Sequence, residues 1–228
     1  MTATTLQYVK DIFETEGSRI TLHKGQRLPL DTTYLASILY IQQGAIQLTQ
    51  ETMGGKELTT RICGANSIIG NTALFAEIQF PSSCATALQN STAFVLTKTS
   101  LEERLTLDPA IMMEYMQWLQ LENVKHQSML RDLVLHGKKG ALYSTLIRLA
   151  NTYGIKQHDA IMIDLALTNT DLANLCGTSR EMVNRMLNEL KKYHILTFTK
   201  GQIIIYELEA LKKAVDCENC PLAICRID

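Results

Sequence analysis

Three cysteines close the chain. In CENCPLAICRID, Cys217, Cys220 and Cys225 form a C-x2-C-x4-C cluster, with Pro221 directly after the second. Thiolates are soft ligands, and three so near in sequence can converge on one metal centre. Zinc and iron–sulfur chemistry both use such a set. A proline following a cysteine is a feature of ferredoxin-type runs and favours iron. An iron–sulfur cluster held by thiolates reacts with oxygen, so this tail has the chemistry of an oxygen sensor. Cys63, Cys84 and Cys176 are scattered through apolar surroundings and read as core.

A second constellation could read DNA. LTNTDLANLCGTSREMVNRMLNELKK reads as two short capped helices joined by a turn at Gly177. Thr168 with Asp171 and Thr178 with Glu181 have the spacing of capping boxes. Leu172, Ala173 and Cys176 on the first helix, and Val183, Met186 and Leu187 on the second, make the facing apolar sides. In a helix-turn-helix the second helix enters the major groove. Ser179, Arg180, Glu181, Asn184 and Arg185 are then the candidates for base edges, since arginine can pair with guanine and glutamate with cytosine. Lys191, Lys192 and Lys200 suit phosphates or plain surface. HILTFTKGQIIIYE, turning near Lys200–Gly201, adds a β-hairpin wing.

These sites need elements to hold them. From about 17 to 100 the chain is rich in short strands: ITLHKGQRL, SILYIQQGAIQLTQ, KELTTRIC and TAFVLT, with glycines between or beside them. Such spacing predicts a small barrel or roll. From about 108 to 135 a continuous helix follows. Its residues Met112, Met116, Leu119, Asn123, His126, Leu130 and Leu133 alternate in steps of four and three. That is a heptad seam with a polar middle, as at a two-helix dimer interface. Gly137 is the stop, a second helix runs from 139 to about 153, and residues 160–166 form a short strand.

Composition limits the function. The 228 residues are 46% hydrophobic, enough for a core, and carry a net charge of −1. Between Lys138 and Lys200 nine Lys/Arg face five Asp/Glu, a local net of +4 that leaves −5 elsewhere. This asymmetry points to nucleic acid in the C-terminal half. No run reaches transmembrane length and no signal-peptide core opens the chain, so a cytoplasmic protein with reduced thiols is expected. Dinucleotide fingerprint, P-loop and nucleophile elbow are all missing, and the five histidines are dispersed, which argues against an enzyme.

The order of β-roll, long helix and winged helix-turn-helix resembles the CRP/FNR superfamily of transcription regulators. The resemblance rests on YIQQGAIQL, GANSIIGNTALF and TSREMVNRML, and covers nearly the whole chain. It implies an α+β protein: a cyclic-nucleotide-binding-like roll over 1–106, a dimerisation helix over 107–136, a winged helix-turn-helix over 137–207 and an extension over 208–228. It implies a homodimer that engages RNA polymerase and reads a TGTGA-N6-TCACA palindrome in double-stranded DNA through Arg180, Glu181 and Arg185. Cyclic-nucleotide binders of the superfamily hold the ribose with a glutamate and the phosphate with an arginine. Here those stretches read Gly70-Asn71-Thr72-Ala73 and Pro81-Ser82-Ser83. A cyclic phosphate would lack its countercharge, and no cyclic nucleotide is expected.

The C-terminal cysteines make the chain similar to Bacillus-type Fnr proteins. That likeness implies a [4Fe–4S] cluster on Cys217, Cys220 and Cys225, with Asp132 as fourth ligand; His136, one turn further on, is the reserve candidate. It further implies oxygen-responsive control of nitrate respiration and fermentation. A structural zinc site, and a small molecule bound in the roll, remain the other readings of the signal; an iron–sulfur redox protein is the remaining one of a different class.

Overall fold

The computed structural model describes residues 6–51, 53–55, 57–77 and 83–228. The chain divides into two compact units, Met1–Leu121 with Asp228, and Glu122–Ile227.

In the N-terminal unit α1 (Gln7–Glu16) leads into β1 (Ser18–Leu22), β2 (Arg27–Pro29), β3 (Ser37–Gln43), β4 (Ile46–Glu51), β5 (Glu57–Cys63), β6 (Ile68–Gly70), β7 (Ser83–Ala87) and β8 (Ser91–Thr97), then α2 (Lys98–Leu107). The strands make two four-stranded sheets, ordered β1-β8-β3-β6 and β2-β7-β4-β5, with antiparallel pairing throughout. Period-two alternation explains the layers. On β3, Leu39 and Ile41 join the cluster formed with Leu28 and Ile46 of the other sheet. Ile38 and Tyr40 join a second cluster with Phe13 of α1, Leu101 of α2, and Tyr115 and Trp118 of the next helix. With both faces covered, β3 reads as the unbroken run Ile38–Ile41. The strand-rich stretches expected from sequence form β1 to β5 and β8, while β6, β7, α1 and α2 were not resolved from it.

The long helix, α3 (Pro109–Tyr153), is broken at Gly137 (φ 60°, ψ −155°). This backbone region is essentially reserved for glycine, so the expected stop is a sharp break between two helical stretches, 109–136 and 138–153. On the first, Met116, Leu119 and Leu130 of the heptad seam are exposed, and Met112 and Leu133 are half-buried. The second is different: residues 141–150 are buried without interruption, including the polar Ser144, Thr145 and Arg148.

The rest of the C-terminal unit folds around that buried stretch. β9 (Gly154–Gln157) and β10 (Ala160–Ile163) precede α4 (Asn169–Leu175) and α5 (Arg180–Lys192). β11 (Leu196–Thr199) and β12 (Gln202–Ile205) form the wing, in a sheet ordered β11-β12-β10-β9, and α6 (Leu208–Ala214) leads to the tail. Lys200 and Gly201 take φ 52° and 81°, as a two-residue hairpin turn with both central φ positive requires. No helix among the described residues is long and apolar enough to cross a membrane.

Candidate DNA-reading helix and thiol tail

α4 begins with a complete capping box: Thr168 Oγ1 accepts from Asp171 N at 3.1 Å, and Asp171 Oδ2 accepts from Thr168 N at 2.7 Å. At α5 the sequence expectation needs correction. Ser179, not Thr178, is the cap, its Oγ accepting from Met182 N at 3.2 Å. Gly177 turns at φ 54° and the Thr178 N–H closes on the Ala173 carbonyl, so the chain becomes extended only at Ser179.

Val183, Met186, Leu187 and Leu190 anchor α5, facing Leu172, Ala173 and Cys176. On the other side Ser179, Arg180, Glu181, Asn184 and Arg185 are all exposed. The Glu181 carboxyl is held below its usual range by hydrogen bonds to its own backbone N–H and to Ser179. Asn184 Oδ1 accepts from Asn169 Nδ2 at 3.2 Å, and Arg185 Nη2 lies 2.8 Å from Met182 Sδ. Lys191, Lys192 and Lys200 are exposed. The first residues after the helix break reach this region: Lys138 Nζ donates to the Gly177 carbonyl, and Lys139 lies 3.4 Å from Glu189.

The tail leaves α6 by a tight turn in which Cys217 N bonds the Lys212 carbonyl at 3.0 Å. A second turn is closed by Ile224 N and Cys225 N, both donating to the Pro221 carbonyl. All three tail thiols are half-buried. Burial pushes the Cys225 thiol up, Arg148 pulls it down, and charge on Cys217 and Cys220 pushes it up again, so the three sulfurs feel one another. Their chemistry fits a soft thiolate-bound centre. Among the described residues, however, no group of three His, Cys, Asp or Glu side chains is drawn together as a set that could hold a metal ion.

Asp132 is buried, and protein donors take both of its oxygens. Oδ1 accepts from Arg131 (3.4 and 3.2 Å), and Oδ2 from Arg148 Nη2 (2.9 Å) and Ser144 Oγ. Burial raises this carboxyl, but Ser144, Arg148 and Arg131 together reverse that and leave it below its usual range. To ligate a metal it must give up a protein partner. His136 is half-buried one turn further on.

Sequence reasoning missed the residues that seat the tail. Arg148 Nη1 donates to the Ile224 carbonyl at 3.0 Å, Asn151 Nδ2 to the Cys225 carbonyl at 2.8 Å, and Ile227 N to Thr152 Oγ1 at 3.1 Å. Arg131 Nη1 meets Glu218 Oε2 at 2.6 Å. One signal was present: an arginine in the otherwise apolar stretch ALYSTLIRLA demands a buried acceptor. Of the cysteines read as core, Cys63 and Cys176 are buried, and burial pushes the Cys176 thiol up to about 11. Cys84 corrects the expectation: it is half-buried, pairs with Pro29 of the three-residue β2, and has Arg27 Nε 3.3 Å from its sulfur.

In the roll, Asn71 Nδ2 donates to the Leu35 carbonyl at 3.3 Å, and the Tyr115 hydroxyl donates to the Thr72 carbonyl at 2.9 Å. Pro81 and Ser82, the other half of the cyclic-nucleotide comparison, lie outside the described residues.

Residues 140–214 match the model of the Crp-like helix-turn-helix domain. The chain is 45% identical over 189 residues to the anaerobic regulatory protein of Bacillus subtilis, covering 82% of this chain and 79% of that one. Among solved structures, a CRP/FNR-family transcriptional regulator from Thermus thermophilus superposes with a TM-score of 0.71 at 19% identity, over 87% of this chain and 98% of that one. The c-di-GMP responsive global regulator CLP of Xanthomonas campestris gives 0.74 at 18% identity, over 87% and 97%.

Proposed function

The chain belongs to the CRP/FNR family of transcription regulators, and on that premise we propose that it is an oxygen-responsive, dimeric regulator of anaerobic metabolism. It is a transcription regulator and not an enzyme. The observation that supports the reading is that one unit holds both a helix-turn-helix second helix with its polar side exposed and a three-thiol tail hydrogen-bonded to the helix that follows Gly137.

The DNA-reading half works through α5. Its apolar side fixes the helix on α4, so Arg180, Glu181, Asn184 and Arg185 project together from an element whose rotation is set by packing. Arg180 and Arg185 would donate to guanine and Glu181 would accept from cytosine, giving a TGTGA half-site. Ser179 holds the first turn and leaves its neighbouring backbone N–H groups near phosphate. Two half-sites in a TGTGA-N6-TCACA palindrome require two copies of α5. The exposed apolar residues Met116, Leu119 and Leu130 are the surface on which a second copy would pack. RNA polymerase is the partner that such a regulator would engage at a promoter in the cytoplasm.

The sensing half is the tail. Cys217, Cys220 and Cys225 would hold a [4Fe–4S] cluster, with Asp132 as the fourth donor once its Oδ1 gives up the more exposed Arg131. The cluster, when bound, supplies an oxygen-labile link between the tail and the helix that carries Asp132. The chain's own contribution is to present the thiols on two tight turns and to keep Asp132 ionised in a buried site. Cyclic nucleotide has no place in this reading, because Asn71 stands where a carboxylate would bind the ribose.

The test is a visible spectrum with iron and sulfide analysis on anaerobically prepared protein, repeated in air. Brown protein with stoichiometric sulfide that bleaches in air is the expected result. Colourless protein containing zinc would leave a DNA-binding regulator whose signal is not oxygen at this site.

A further inference from the structure

We propose that Arg148 is the positioning residue of the tail, docking the Cys220–Cys225 loop and orienting Asp132 on a single guanidinium before any metal arrives. The inference rests on the tail being the sensing element, as proposed above.

Arg148 is 3% exposed, deep in the buried stretch that follows the helix break. Its guanidinium bonds four partners: Nε meets Ser144 Oγ at 3.2 Å, Nη1 the Ile224 carbonyl at 3.0 Å, and Nη2 both Ser128 Oγ and Asp132 Oδ2 at 2.9 Å. Ser128 and Asp132 precede the break at Gly137, Ser144 follows it, and Ile224 belongs to the tail. One side chain therefore ties its own helical stretch to the stretch before the break and to the tail.

The docking surface is one face of a helix. Positions 144, 148, 151 and 152 are four, seven and eight residues apart and so lie in one stripe. Three of them meet the tail backbone in order: Arg148 at Ile224, Asn151 at Cys225 and Thr152 at Ile227. These three contacts read two carbonyls and an amide of the tail backbone. They fix the path of the loop, and the Asn151 side chain also hydrogen-bonds the Cys225 thiol.

A buried ion pair is weak evidence for stability, because apolar residues of similar volume commonly do as well. What a planar fork supplies, and leucine or lysine cannot, is several donors in fixed directions. Here those directions connect a proposed ligand, Asp132, with the carbonyl next to another, Cys225. The contacts are all hydrogen bonds of the chain itself, so the tail stays seated in metal-free protein.

The test uses full-length, metal-free, reduced protein. Iodoacetamide labelling rates are read separately at Cys217, Cys220 and Cys225 by peptide mass spectrometry, with buried Cys176 as internal control. Asn151→Ala removes the hydrogen bonds to the Cys225 carbonyl and thiol and leaves the charge pair intact. It should speed labelling of Cys225 by about tenfold, the effect of the backbone hydrogen bond on a local opening equilibrium. Arg148→Lys keeps the charge beside Asp132 but loses the fork. It should unfold near the wild-type temperature yet label Cys225 about tenfold faster. A role limited to neutralising Asp132 would be rescued by lysine in both readouts. Wild-type labelling rates at Cys225 in both variants would overturn the proposal. Iron content of the wild type is measured in parallel. Iron-free wild type with fast labelling in the variants would uphold the docking role while removing the iron–sulfur reading.

Discussion

Arg185 is exposed on α5 with its Nη2 2.8 Å from the Met182 thioether, a contact that a base edge would have to replace. Its contribution should therefore appear as discrimination. Arg185→Ala should cost about 1–3 kcal/mol on the intact palindrome and relax preference at one base pair per half-site. Lys191→Ala should weaken all sequences alike and lower the salt slope by about one. Fluorescence anisotropy at several salt concentrations, on matched and mutated sites, separates the two. Equal losses on both DNAs for Arg185→Ala would place it on phosphate. Thiol chemistry divides the cysteines in the same way. Cys176, buried in the helix pair and pushed up to about 11, should resist alkylation at neutral pH, while the half-buried tail thiols react. Mass spectrometry after a short pulse checks this, and modification of Cys176 as fast as Cys217 would mean that α4 and α5 open readily.

At the scale of elements, α1 and the long helix are joined by one carboxylate. Glu114 is buried and accepts from the backbone N–H groups of Gln7, Tyr8 and Val9 at 2.7, 3.2 and 2.8 Å. It serves as the missing N-cap of α1, whose own Leu6 has no capping side chain. Glu114→Ala should destabilise the N-terminal unit by about 1–3 kcal/mol, seen as a lower midpoint in chemical denaturation; an unchanged midpoint would mean water replaces the carboxylate freely. This contact was not legible in sequence, because donor and acceptor lie more than a hundred residues apart and no local pattern links them. The recognition helix was legible, because α5 is amphipathic with a single apolar side. Its cap was misplaced by one residue: Thr178, Ser179 and Glu181 satisfy the same local grammar, and only the turn at Gly177 decides between them. The break at Gly137 was visible as a lone glycine, but its conformation was not. Arg148 could have been suspected from its apolar neighbours, yet its partners come from three separate segments.

For the molecule as a whole, the surface over the first half of the long helix carries an assembly prediction. Leu130 and Val134 are exposed at 61% and 71%, beside a seam of heptad spacing. Large exposed aliphatic side chains grouped on one helix are the kind of patch on which a second copy is expected to pack. Leu130→Glu should convert a sedimenting dimer to monomer and abolish palindrome binding, leaving half-site affinity weak. A variant that still sediments as a dimer would move the interface elsewhere. The proposed dimer seam runs through Leu130 and Leu133, and the proposed ligand Asp132 lies between them in sequence.

The central claim is that the state of the thiol tail sets the affinity of α5 for DNA. Its most direct test is the dissociation constant for a TGTGA-N6-TCACA duplex, measured at one salt concentration without oxygen and again after air exposure of the same sample, with Cys220→Ser alongside. Tight anaerobic binding that weakens at least about tenfold in air, with Cys220→Ser weak in both conditions, is the predicted result, a change of about 1.4 kcal/mol or more. Equal affinity in all four measurements would contradict it, leaving a DNA-binding protein whose tail does not control α5.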